Sequence, residues 1–160
     1  MLDAFARHGR FDLTLSCKGD LEIDDHHTAE DCGIAIGMAI REALGDRRGI
    51  SRFGSSYAPL DEALARAVVD ISGRAFSDIN LDLKRENLGS LACENIPHVL
   101  QAIAANSAIT LHVDVIKGAN DHHKAEAGFK AFGLALKEAV QRSGVDDVPS
   151  TKGSIDGGNQ

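Results

Sequence analysis

Asp25-His26-His27-Thr28-Ala29-Glu30 decides the reading of this chain, because its pattern returns 96 positions later as Asp121-His122-His123-Lys124-Ala125-Glu126. Each copy is a histidine doublet with a Glu three residues after the second His. Each opens an apolar, small-residue run: Cys32-Gly33-Ile34-Ala35-Ile36-Gly37-Met38-Ala39-Ile40 and Gly128-Phe129-Lys130-Ala131-Phe132-Gly133-Leu134-Ala135-Leu136. On a helix the first His and the Glu are i and i+4 and share a face. The second His lies about 100 degrees round the axis, so one helix end can aim imidazoles at two different ions. Neutral imidazole with carboxylate suits Mn, Fe, Zn or Ni and asks for no thiolate. The plainer alternative makes Asp25 and Asp121 helix N-caps, with Glu30 and Glu126 favoured by the helix dipole. Two copies in matched context favour the metal reading.

The match extends beyond the hexapeptide. Residues 1–6 align with residues 99–104 at an offset of 98, and the alternating residues 11–17 fall on residues 109–115. The offset becomes 96 across a turn, and from there Gly37 meets Gly133 and Glu42 meets Glu138. Pseudo-repeats over about 1–45 and 99–141 follow, within a single domain over 1–153. His98 directly precedes the second copy; its first-copy counterpart would precede Met1.

Between these landmarks the pattern predicts a helix over 1–8, strands over 11–17 and 21–24 joined at Lys18-Gly19-Asp20, and a helix over 27–44 stopped by Gly45. A strand follows the loop after residue 46, then a helical turn or bulge at 61–64, β-structure at 68–71 and a strand over 76–83. A helix over 88–105, a strand over 109–115 and a helix from the second doublet to about Ser143 complete the chain. Residues 154–160 read as a disordered tail.

The bulk numbers bound the class. A chain of 160 residues, 43% hydrophobic, can bury a core in one domain. Aromatics are 4% and Trp is absent, so that core is built from Ala, Val, Ile and Leu. A net charge of −7 argues against nucleic acid as a partner. Cys17, Cys32 and Cys93 form no framework and read as reduced cysteines of a cytoplasmic protein. No apolar run approaches a membrane span.

His26-His27-Thr28-Ala29-Glu30-Asp31, Arg52-Phe53-Gly54, Pro59-Leu60-Asp61-Glu62-Ala63, Asp70-Ile71-Ser72-Gly73-Arg74, His122-His123-Lys124-Ala125-Glu126 and Pro149-Ser150-Thr151-Lys152-Gly153 stand in order and spacing. Together they resemble the imidazoleglycerol-phosphate dehydratase family, the lyases of histidine biosynthesis. The resemblance covers residues 1 to about 153. The family carries a further stretch before the aligned Met1, including a histidine, so the chain resembles an N-terminally truncated member. The implied fold is α+β, of duplicated half-domains of the ribosomal protein S5 domain 2-like type, with sheets packed on paired helices. The resemblance also implies two Mn²⁺ ions per active site, one on His26, Glu30, His98 and His123. The other would take His27, His122, Glu126 and the histidine upstream of Met1, leaving that site incomplete here. His8, Arg52, Arg74, Ser150 and Lys152 match substrate- or phosphate-contacting positions, suited to a phosphorylated imidazole.

By the same resemblance the metal favours the imidazolate form of the substrate ring, and that anion expels the neighbouring hydroxyl. The base is unassigned, its family position lying in the upstream stretch. Subunits of the family form trimers that assemble into a homo-oligomer of about 24 copies. Impaired assembly and little activity are the expectation for the short chain. Two rival readings share the doublets: a dinuclear metallohydrolase acting on a phosphorylated small molecule, and a metal-glued structural assembly.

Overall fold

Alternation is clearest in β2 (Ala63–Asp70), where Ala63, Ala65, Ala67 and Val69 are buried and the residues between them are not. It lies at the centre of a four-stranded sheet in the order β1-β2-β6-β3, with β1 spanning Phe53–Leu60, β3 Phe76–Asn80 and β6 Thr110–Lys117. β1–β2 and β2–β6 are antiparallel, and β3 runs parallel to β6. A short hairpin, β4 (Asn87–Leu88) and β5 (Leu91–Ala92), stands apart. The helices are α1 (Leu2–Gly9), α2 (His26–Leu44), α3 (Asn95–Ser107) and α4 (Asp121–Ala139). The computed structural model describes residues 1–155. It is an α+β chain with helices on one face of a mixed sheet.

Small residues set the layer spacing. α4 crosses β1 and β2 over Ala65, Ala67, Ala125, Ala131 and Ala135, all fully buried. Behind this layer α1 packs on α4 and α3 packs on α2. The two pairings match residue for residue. A Cβ at Gly37 would stand 2.6 Å from the Ile103 carbonyl and 3.1 Å from the Ser107 nitrogen. A Cβ at Gly133 would collide with the Phe5 carbonyl and stand 3.1 Å from the Gly9 nitrogen. Gly37 and Gly133 differ by the offset of 96, and Phe5/Ile103 and Gly9/Ser107 by the offset of 98. Each doublet helix therefore packs against the first helix of the other repeat.

Several sequence expectations are corrected. Residues 11–17 form no strand, although Phe11 and Leu13 are half-buried; among the described residues no strand pairs with them, and Phe11 N–H donates instead to the Ala6 carbonyl at 3.0 Å. Residues 21–24 are a turn, closed by Ile23 N–H donating to the Asp20 carbonyl at 2.8 Å, with Leu21 and Ile23 exposed. Asp61 and Glu62 make the tight turn between β1 and β2, and the bulge falls between Leu64 and Ala65. β3 ends at Asn80, before Asp82 takes a positive φ of 49°. The stretch read as a helix from 88 is first the β4–β5 hairpin around Gly89, and α3 begins at Asn95 with Pro97 in its first turn. α4 ends at Ala139, whose carbonyl accepts from Arg52 N–H at 2.9 Å. Of the expected tail, Ile155 is buried against Gly73; residues 156–160 lie outside the described residues.

Candidate metal and phosphate sites

The amino-terminal ends of α2 and α3 meet, and they bring His26, Glu30 and His98 together with one ligand atom of each within 4.8 Å of the others. The His26 and His98 rings stack at 4.8 Å between centroids, 20° apart. His98 Nε2 is buried and 3.2 Å from Glu30 Oε1, yet out of hydrogen-bonding geometry and without a donor or acceptor partner. A buried ring nitrogen left unsatisfied beside a carboxylate and a second imidazole is the donor set of a borderline divalent ion. These residues fit Mn²⁺ as they stand.

The other doublet opens α4. Its cap is Asn120, which accepts from the backbone N–H groups of His122 and His123 at 2.9 and 3.3 Å. Asp121, one of the expected caps, turns away instead: it accepts from the N–H groups of Lys84 and Arg85, each at 2.7 Å, and pairs with buried Lys124. Asp25 occupies the cap position of α2 without capping it; its carboxylate accepts from Ala92 N–H and from the Asn95 side chain. Both aspartates thus hold the segment between β3 and α3.

Sequence reasoning missed the groups behind the histidines. His123 Nδ1 lies 2.7 Å from Glu62, His27 Nδ1 2.8 Å from Asp20, and His26 Nδ1 2.9 Å from Asn95. The His123 contact, with backbone N–H groups of Asn120 and Ala119, pulls the Glu62 carboxyl down to about 2. Glu62 in turn raises His123, and Asp20 raises His27. Each acceptor occupies Nδ1 and leaves Nε2 as the candidate ligand atom, as in the outer shell of a metal centre. Glu62 belongs to a stretch that carried the family resemblance, but nothing in its spacing paired it with His123. His122 Nε2 stands 3.2 Å from Glu126, itself bound to Lys130. Within one chain His27, His122 and Glu126 do not converge, and His123 stands apart from the cluster at His26; that cluster is the one group of its kind among the described residues.

The phosphate candidates gather at the other end of the sheet. Arg52 grips Asp70 at 2.7 Å and donates to the Pro149 carbonyl at 2.7 Å, which holds residues 149–153 against the start of β1. Within that segment Ser150 Oγ accepts from Lys152 N–H at 3.2 Å. Arg74 is exposed on the turn after β2, 3.5 Å from the Ser72 carbonyl. His8 is exposed at the end of α1, beside Lys137 of α4. α4, 19 residues long, has its doublet at one end and receives Arg52 N–H at the other. At about 1.5 Å per residue the two ends are roughly 28 Å apart.

Comparison with known proteins points to one family. The family model described as imidazoleglycerol-phosphate dehydratase matches residues 1–136. The imidazoleglycerol-phosphate dehydratase of Komagataella pastoris is 58% identical over 155 residues, covering 97% of this chain and 69% of that protein. The Phaffia rhodozyma enzyme of the same name is 60% identical over 155 residues, covering 97% and 76%. The crystal structure of the Staphylococcus aureus enzyme superposes with a TM-score of 0.81 at 40% identity, covering 88% of this chain and 80% of that one. That of the Pyrococcus furiosus enzyme, in complex with (S)-C348, gives 0.78 at 31% identity, covering 96% and 83%. A chain with both histidine doublets, the His98 cluster and this degree of identity over nearly its whole length belongs to the imidazoleglycerol-phosphate dehydratase family.

Proposed function

We propose that this chain is a hydro-lyase that dehydrates imidazoleglycerol phosphate to imidazole-acetol phosphate in histidine biosynthesis, with Mn²⁺ as its metal. The convergence of His26, Glu30 and His98 carries the reading. Their donor set would hold an ion that binds the substrate ring nitrogen and stabilises the negative charge developing on the ring. His27, His122, His123 and Glu126 supply the remaining candidate ligands. Arg52, Arg74, Ser150 and Lys152 would hold the phosphate by charge-assisted hydrogen bonds.

The distances support a shared site. Ring and phosphate of the substrate are separated by a three-carbon chain, far less than the roughly 28 Å along α4. On this reading the doublet end of α4 in one copy faces the phosphate candidates of another, and the active form is a homo-oligomer with closed symmetry. Among the described residues no helix is long and apolar enough to cross a membrane.

The test is turnover of imidazoleglycerol phosphate by Mn²⁺-loaded protein, followed through the ketone product. Mn²⁺-dependent release of inorganic phosphate without that ketone would show a metallohydrolase instead. Metal-driven assembly with no turnover of either kind would leave a structural role.

A further inference from the structure

Asn95 is buried, 2% exposed, at the first position of α3, and its side-chain amide stands between Asp25 and His26. Asp25 Oδ2 accepts from Ala92 N–H at 2.6 Å, and Asp25 Oδ1 accepts from Asn95 Nδ2 at 2.9 Å. Asn95 Oδ1 then faces His26 Nδ1 at 2.9 Å. Hydrogen-bond chemistry orders this chain in one direction. A carboxylate can only accept, so the amide NH₂ of Asn95 must face Asp25. The amide oxygen must consequently face the ring, and an amide oxygen can only accept. His26 Nδ1 must therefore carry the proton, which leaves the lone pair on Nε2. No freedom to flip the amide remains, although amide and ring orientation are usually ambiguous.

We propose that Asn95, oriented by Asp25, is a positioning residue that sets the tautomer of His26 and presents its Nε2 to a divalent ion. The assignment rests on the metal reading above. It adds that the ring is poised before any ion arrives, by two residues that touch neither ion nor substrate. Sequence alone suggested a helix cap for Asp25 and no role for Asn95.

The tests are Asp25→Asn and Asn95→Leu, both close in size to the residues they replace. In Asp25→Asn the new side chain must still accept from Ala92 N–H, so its NH₂ turns towards Asn95. Asn95 is then forced to flip, its NH₂ faces the ring, and the His26 proton moves to Nε2. Ring nitrogen NMR on the metal-free chain, recorded at rising pH until the ring signals stop moving, reads the tautomer of the neutral ring. Calorimetric titration with Mn²⁺ alone reads affinity. The wild type is expected to show the proton on Nδ1 of His26. Asp25→Asn is expected to move it to Nε2 and weaken Mn²⁺ binding about tenfold or more, the usual consequence of losing an outer-shell partner. Asn95→Leu is expected to give a mixture of tautomers and a loss in the same direction.

A wild-type ring protonated on Nε2, or a tautomer that Asp25→Asn leaves unmoved, overturns the proposal. A proton that moves while Mn²⁺ affinity stays within twofold removes the positioning role and leaves the metal reading standing. A wild-type chain with the expected tautomer that binds no Mn²⁺ removes both.

Discussion

His98 and His112 are both partly exposed histidines, and only their neighbours separate them. His98 stacks on His26 beside Glu30, whereas His112 lies on the open face of the sheet against Phe76 and 4.0 Å from Asp78. His98→Ala is expected to lower Mn²⁺ affinity at least about tenfold and His112→Ala to leave it unchanged, both by calorimetry. Equal effects would take His98 out of the ligand set. Asp121 answers a different question, of stability. Burial works to raise its carboxyl, but Lys124 and the Arg85 and Lys84 N–H groups overcome it and hold it at about 2, against an ordinary 3.8. A carboxyl depressed in the folded state stabilises fully above its unfolded value. That contribution fades as pH falls through 3.8 towards about 2. Asp121→Asn is expected to cost roughly 1–3 kcal/mol at neutral pH, because it leaves the buried Lys124 ammonium with only the Asp82 carbonyl and carboxylate as partners. It should also flatten the acid limb of the stability curve below pH 3.8. Urea unfolding at pH 7 and pH 3 measures both.

Helix pairs respond as units. Gly37 sits under the Ile103 carbonyl and Gly133 under the Phe5 carbonyl, in both cases backbone against backbone. A methyl group at either position must push two helices apart. Gly37→Ala and Gly133→Ala are each expected to destabilise by about 1–3 kcal/mol, read as a fall of several degrees in the thermal midpoint. Similar losses are expected because the two contacts correspond; a neutral Gly133→Ala would show that α1 is loosely seated. The helices that carry these glycines were legible from residues alone, since apolar side chains recur on one face from Ile36 to Leu44 and Gly45 stops the run. Residues 11–17 show the limit of such reading. Their alternation is sound, but a strand exists only when another backbone takes its hydrogen bonds. In the same way, residues 88–94 look apolar enough for a helix until Gly89 turns them into a hairpin.

The second histidine doublet and the phosphate candidates lie near opposite ends of α4, so the proposed sharing of a site between copies can be tried by complementation. His98→Ala and Arg74→Ala are each expected to be inactive alone. Dissociated together with a chelator and reassembled with Mn²⁺, they should recover a substantial fraction of wild-type turnover, because some sites then join an intact end from each. Recovery no greater than the separate variants would mean that both ends serve one site within one chain. Gel filtration with and without Mn²⁺ should show a larger particle with the metal. The doublets and their spacing were readable in the order of residues, because ligand chemistry and helical periodicity are local properties; the phosphate candidates came only with the family resemblance. Together they were sufficient to name the family and to propose a donor set. Which donors meet was not local. His98 reaches His26 only because α3 packs on α2. Asn95 and Glu62 come to stand behind histidines 69 and 61 positions away through the packing of separate elements. Periodicity says which face of a helix is buried, but only packing in three dimensions says what is buried against it.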